Sequence, residues 1–281
     1  MLDRAAIGKI DFSKSNLYTL SIRLCADGFS FFIYDPFSAQ GLHYFPCPVD
    51  VSLPFLVNVK RLLAEEVFQY AYKRVNVVCA DARFAFFPEG FLPDDEAHYP
   101  LFFYSNCRQG EDERVLCNEW ERGNVKILFA IGRPVWELLS HACPEVHVYS
   151  SATLLLEYFG SKSSWGNTRK MYACIEDGFL YVFCFDRGHF LFGNSFSVHG
   201  AADVLYYLLY VWKQQGYAQE RDELHVAGSL ASFSGDMLDE LRVFVRHVFV
   251  MNPDSEFCRM FDGDAETVPF DLQSALLFDF K

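Results

Sequence analysis

Basic residues are scarce. Lys and Arg number 24 against 37 Asp and Glu in 281 residues, which leaves a formal net charge of -13 at pH 7. A field of that sign repels polyanions, so neither nucleic acid nor an anionic membrane surface is expected as a partner. Long apolar runs are also missing. The longest uninterrupted one, Val204 to Trp212, is far shorter than the roughly 18 residues that suggest a membrane span. The opening Met1-Leu2-Asp3-Arg4 shows no cationic segment followed by an apolar one, so no signal peptide is expected and the reading places the chain in the cytoplasm. Paired cysteines are a third absence. The nine cysteines are an odd number, and Val77-Val78-Cys79-Ala80 and Phe183-Cys184-Phe185 place them in apolar runs, as reduced core thiols. Without a Cys-x2-Cys pair, His141-Ala-Cys143-Pro-Glu-Val-His147 together with Cys107 and Cys117 offers zinc-type ligands at spacings zinc sites do not use.

What is abundant points to a packed, strand-rich protein. Hydrophobic residues make up 51% and charged residues 22%, enough apolar surface for a large core. Aromatics reach 17%, with 30 Phe, and such side chains favour pleated, half-buried surfaces. The length suits one large domain or two of about 140 residues.

A weak internal repeat organises the chain. Leu20 to Asp35 reads as two apolar strands around Asp27-Gly28, and Met171 to Asp186 repeats the pattern around Asp177-Gly178, the commonest short hairpin signal. A further strand follows in each copy, Gly41 to Cys47 and His189 to Val198. Next comes a helical spacing, Leu56, Val59, Leu62, Leu63, Val67 and Tyr70 in one copy and Val204, Leu205, Leu208, Leu209 and Trp212 in the other. Each copy then has a short apolar strand, Val75 to Ala80 and Leu224 to Ala227. The pattern predicts an α/β (α+β) protein with two tandem β-β-β-α-β halves around a cleft, residues 1–160 and 161–281. Between the copies the sequence predicts a strand over Val125 to Ile131, helices over Pro134 to His141 and Ser150 to Phe159, and a polar linker over Gly160 to Thr168. A last helix is expected over Ser234 to Val250.

This order of elements, from about Leu17 to about Met251, resembles the actin-like ATPase fold of the ribonuclease H-like class. More closely, the chain looks like a bacterial family of unknown function found in Bacteroides and its relatives, for which an actin-like ATPase fold is expected. The resemblance implies a cleft that holds ATP, with each hairpin turn wrapping phosphates and a first-strand Asp organising Mg²⁺ or water. Aligned on that pattern, the usual Asp falls at Arg23, the usual Gly at Cys25, and Ala173 matches Arg23 in the second copy. Each turn keeps a single Gly. Val226-Ala227-Gly228-Ser229 partly matches the loop that contacts adenosine. If a nucleotide binds, Asp27, Gly28, Asp177, Gly178, Gly228 and Ser229 are the residues to hold it. The loss of the first-strand carboxylate counts against hydrolysis and against a metal-dependent nuclease. Two readings stay open: an interaction or scaffold protein without catalysis, and an ATP-binding switch with weak or no hydrolysis.

Other constellations are weaker. Gly193-Asn-Ser195-Phe-Ser197 lacks the second Gly of a nucleophile elbow. Asp94-Asp95-Glu96 and Glu111-Asp112-Glu113 read as solvated loops. The aromatics from Phe84 to Tyr104 are read as the packed core of a strand pair, or, where exposed, as a contact for an unknown protein partner or a second copy. The segment Asp262 to Lys281 is a second candidate for docking, to a partner or back onto the protein itself.

Overall fold

The computed structural model of the chain describes residues 7–25, 28–38, 41–229, 236–252 and 267–278. The first half runs β1 (Thr19–Cys25), β2 (Gly28–Tyr34), β3 (Leu42–Pro48), α1 (Phe55–Leu63) and β4 (Arg74–Ala80). An inserted unit follows: β5 (Phe84–Pro88), α2 (Tyr99–Asn106), β6 (Glu113–Trp120), β7 (Val125–Gly132) and α3 (Arg133–Ala142). Next come β8 (Val146–Ser150) and α4 (Ser151–Ser163). The second half runs β9 (Arg169–Glu176), β10 (Phe179–Asp186), β11 (His189–Ser197), α5 (Ala201–Gln214), β12 (Glu223–Gly228), α6 (Asp236–Phe244), β13 (His247–Val250) and α7 (Phe270–Ser274).

Two five-stranded sheets share one strand order. The first is β3-β2-β1-β4-β8 and the second β11-β10-β9-β12-β13. In both, the three leading strands form an antiparallel meander, and the last two join in parallel through helical crossovers. The expected unit is therefore present in each half, with a fifth strand added. The insertion forms its own antiparallel sheet, β5-β7-β6.

Alternation along the strands decides which side chains face the other half. Ile22 pairs with Phe31, whose ring meets Phe68 beyond α1, so Leu20, Ile22 and Leu24 cover the α1 side. Arg23 therefore points to the opposite face. In the second sheet, Met171, Ala173 and Ile175 pack with α5 and α6, while Tyr172 and Cys174 belong to the large core that joins the halves. Helix α4 lies in that core. Its sequence is apolar nearly all round, and residues 151–160 are all buried, the pattern of a helix enclosed by protein. The Ser150 hydroxyl caps it by accepting from the Ala152 amide at 3.2 Å. Phe159 of α4 stacks on Tyr172 at 4.8 Å and on Phe270 of α7 at 6.0 Å, which ties the halves together through aromatic contacts.

Four sequence expectations are corrected. Helix α1 stops at Leu63 and does not reach Tyr70, because Glu65 turns extended and the Gln69 amide caps the Leu63 carbonyl at 2.8 Å. The helix expected over 234–250 is α6 followed by β13: its β-branched and aromatic run His247-Val-Phe-Val250 pairs in parallel with β12, and residues 234 and 235 lie outside the described set. Gly160 to Ser163 is helix, not linker, and Gly160 lets α4 pass closely over the Trp120 ring. Finally, Tyr99, Phe102, Phe103 and Tyr104 sit on helix α2, not on a strand pair. Most of that aromatic cluster is core, yet Phe91 and Leu101 stand 61% and 71% exposed.

Candidate functional site

The site lies where the carboxyl ends of β1, β9 and β12 meet α7. Asp177 and Gly178 have φ of 50° and 76°, so they form a two-residue hairpin turn with both centres left-handed, and Glu176 pairs with Phe179 across it. The first hairpin differs by one residue. There Cys25 pairs with Gly28, so Gly28 is already the first residue of β2; Asp27 lies outside the described residues. Gly28 thus corresponds to Phe179, and the two Asp-Gly pairs are not equivalent. The slip turns each later comparison to the other face of the strand. Arg23 matches Cys174, which faces the other half, and not Ala173, which is packed under α5.

Arg23 bridges the halves. Its Nε donates to Asp271 Oδ1 at 2.8 Å and to Oδ2 at 3.0 Å, and its Nη2 donates to Asp177 Oδ2 at 2.5 Å. Arg23 and Asp271 are 4% and 2% exposed, so this is an ion pair in the interior; only Asp177 reaches solvent. Burial works against the Arg23 charge, yet Asp271 first and Asp177 next raise its pKa well above the ordinary arginine value. Asp271 is also held by the Ser151 hydroxyl at 2.5 Å and by the Leu272 amide at 2.7 Å, so its oxygens are satisfied from β1, α4 and α7. Cys25 Sγ donates to Asp177 Oδ2 at 3.3 Å.

A third carboxylate adjoins the pair. Glu176, 7% exposed, accepts the Ser229 hydroxyl at 2.7 Å and the Phe270 amide at 3.3 Å. Burial foremost, with Asp271 alongside, pushes its carboxyl up to about 7, against the pull of Ser229 and Arg23. Gly228, at φ +90°, lets the chain end of β12 press against the Ile175 backbone, where a side-chain carbon would collide. The Ser229 amide donates to the Ile175 carbonyl at 2.8 Å and is spent there.

The fold therefore gathers Arg23, Cys25, Asp177, Gly178, Gly228 and Ser229 at one place. Sequence reasoning missed Glu176, Asp271 and Ser151. Asp271 is 248 residues from Arg23, and no local pattern joins them. The remaining candidates have other duties. The Ser195 hydroxyl donates to the Ala82 carbonyl at 2.5 Å. Glu113 is not a solvated loop residue: its side chain is nearly buried in β6 under Arg83 at 2.6 Å, with the Tyr104 hydroxyl at 3.2 Å. Among the described residues, no three His, Cys, Asp or Glu side chains are placed to hold a metal ion. Among the described residues, too, no helix is long and apolar enough to cross a membrane.

Comparison with known proteins gives the same fold. A family described as "Protein of unknown function (DUF3822)" matches residues 8–248. A crystal structure from Bacteroides thetaiotaomicron, described as a protein with actin-like ATPase fold and unknown function, is 39% identical, with a TM-score of 0.83 over 95% of this chain and 98% of that one. A PilM–PilN type IV pilus biogenesis complex is similar in fold alone, at 10% identity and a TM-score of 0.58 over 94% of this chain and 98% of that one. A search of curated proteins finds no match. By the extent of the family match and the likeness to the Bacteroides protein, the chain belongs to the DUF3822 family and has the actin-like ATPase fold.

Proposed function

We propose that this chain is a non-catalytic interaction protein on an actin-like fold, in which the protein's own ion pairs fill the place of a nucleotide. The observation that carries the reading is Arg23 bound to Asp271 and Asp177 where the resemblance calls for a metal-organising Asp. A Mg²⁺ nucleotide needs a carboxylate for the metal and free amides for the phosphates. Where the resemblance calls for that carboxylate the chain has a cation, Asp177 is paired with it, and the Ser229 amide is already bonded, all of which supports the reading. The residues do not fit the group. Halves spanning 1–160 and 161–281, a cytoplasmic location and a protein partner or second copy complete the reading; the acidic charge supports a partner other than nucleic acid. Exposed Phe91 and Leu101 on the inserted unit are where such a contact is proposed.

The test is a thermal-shift titration with Mg-ATP and Mg-ADP, followed by phosphate release. A ligand at 100 times its dissociation constant stabilises the folded state by about 2.7 kcal/mol, a shift easily seen. No shift and no turnover at millimolar nucleotide are expected. A clear shift with either nucleotide would overturn this reading in favour of a nucleotide switch.

A further inference from the structure

We infer that Arg23, Asp177, Asp271 and Glu176 form a proton-dependent latch that holds the two halves closed. The inference concerns regulation of the site just described and rests on the reading that its own side chains fill it.

The charge count carries the argument. One guanidinium meets three carboxylates, and Arg23 is already committed to Asp271 and Asp177. Glu176 is left beside the pair, buried, and among the described residues its donors are a hydroxyl and an amide. A buried carboxylate without a cation of its own is held most cheaply with a proton. Among the described residues its other titratable neighbours are no help: Cys25 on β1 gives its thiol hydrogen to Asp177, burial raises the Cys174 thiol on β9 and the Tyr44 and Tyr181 phenols on β3 and β10, and none of these is a cation. The carboxyl value of about 7 agrees with this count. The grip also joins the two sheets, since Arg23 is on β1 while Asp177, Glu176 and Asp271 are on the β9–β10 hairpin and α7.

The sign follows by linkage. The closed form takes up the Glu176 proton up to about pH 7, whereas a carboxyl freed by opening ionises in the ordinary range. Raising the pH therefore favours opening until about pH 7, and the effect levels off above that. Between about pH 6 and about pH 8.5 the opening constant rises about tenfold.

Hydrogen–deuterium exchange on the full chain, corrected for the pH dependence of intrinsic exchange, reads this directly. In the wild type, residues 175–179 and 268–276 should open about tenfold more often at the higher pH, while residues 182–186 of β10 keep their protection as the control for folding. Glu176→Gln, which has no proton to lose, should remove the pH dependence. Ser229→Ala, at an exposed position, removes a donor that favours the charged carboxylate and should move the transition to higher pH. A wild type without pH dependence, a Glu176→Gln protein that keeps it, or an unmoved transition in Ser229→Ala would overturn the latch. Adding Mg-ATP to the same samples separates the two readings. Nucleotide-dependent protection of these segments would sink the filled-cleft proposal, and the pH response of Glu176→Gln judges the latch by itself.

Discussion

At the scale of single residues, Arg23 is the position on which the site turns. Its guanidinium satisfies both oxygens of Asp271 and reaches Asp177 as well, a forked geometry that a lysine ammonium does not reproduce. Removing it leaves Asp271 buried without a cation. Arg23→Met should lower stability by about 3–5 kcal/mol in urea unfolding, as expected when one partner of a buried pair is lost. Adding Asp271→Asn to that variant should restore part of the loss, because a neutral amide costs less to bury than an unpaired charge. If the two substitutions prove additive, the pair is not coupled and the argument from Arg23 falls.

At the scale of elements, the two hairpins show how far sequence reasoning reaches. The order of elements along the chain, the helix after the third strand and the presence of two copies were legible from Asp-Gly signals and apolar periodicity, because turn chemistry and burial are local. The register was not. Asp27-Gly28 and Asp177-Gly178 look equivalent in the chain, yet Gly28 is strand and Gly178 is turn, and Ala173 took the place that belongs to Cys174. Nothing local could have set that register, since it is fixed by which face each strand buries. Asp271 and Ser151 were illegible for a related reason: they meet Arg23 only after α4 and α7 have packed between the sheets. The glycines at the strand ends make a direct test. Gly228→Ala should cost about 2 kcal/mol or more, since φ of +90° is strained for any side chain and the Ile175 backbone leaves no room. Gly28→Ala, with its nearest atom the Cys47 carbonyl oxygen at 3.9 Å, should fall within about 0.5 kcal/mol of the parent. Equal losses in both, measured by urea unfolding, would contradict this account of the β12 end.

At the scale of the whole molecule, the halves are joined by more than the chain that links them. The core that contains α4 and α7 draws on both sheets, and the Arg23 cluster closes at one end of it. That closure joins residues 248 positions apart, and its consequence is one of time. Contacts this distant in sequence form after the local hairpins and helices have organised, and interactions that arrive late act mainly on the rate at which the native state is left. Arg23→Met should therefore unfold many times faster than the parent while refolding at nearly the same rate, as stopped-flow chevrons would record. A slowed refolding limb would instead place the ion pair in the folding nucleus. On this reading the buried arginine sets how long the protein stays closed once folded, a lifetime more than an affinity.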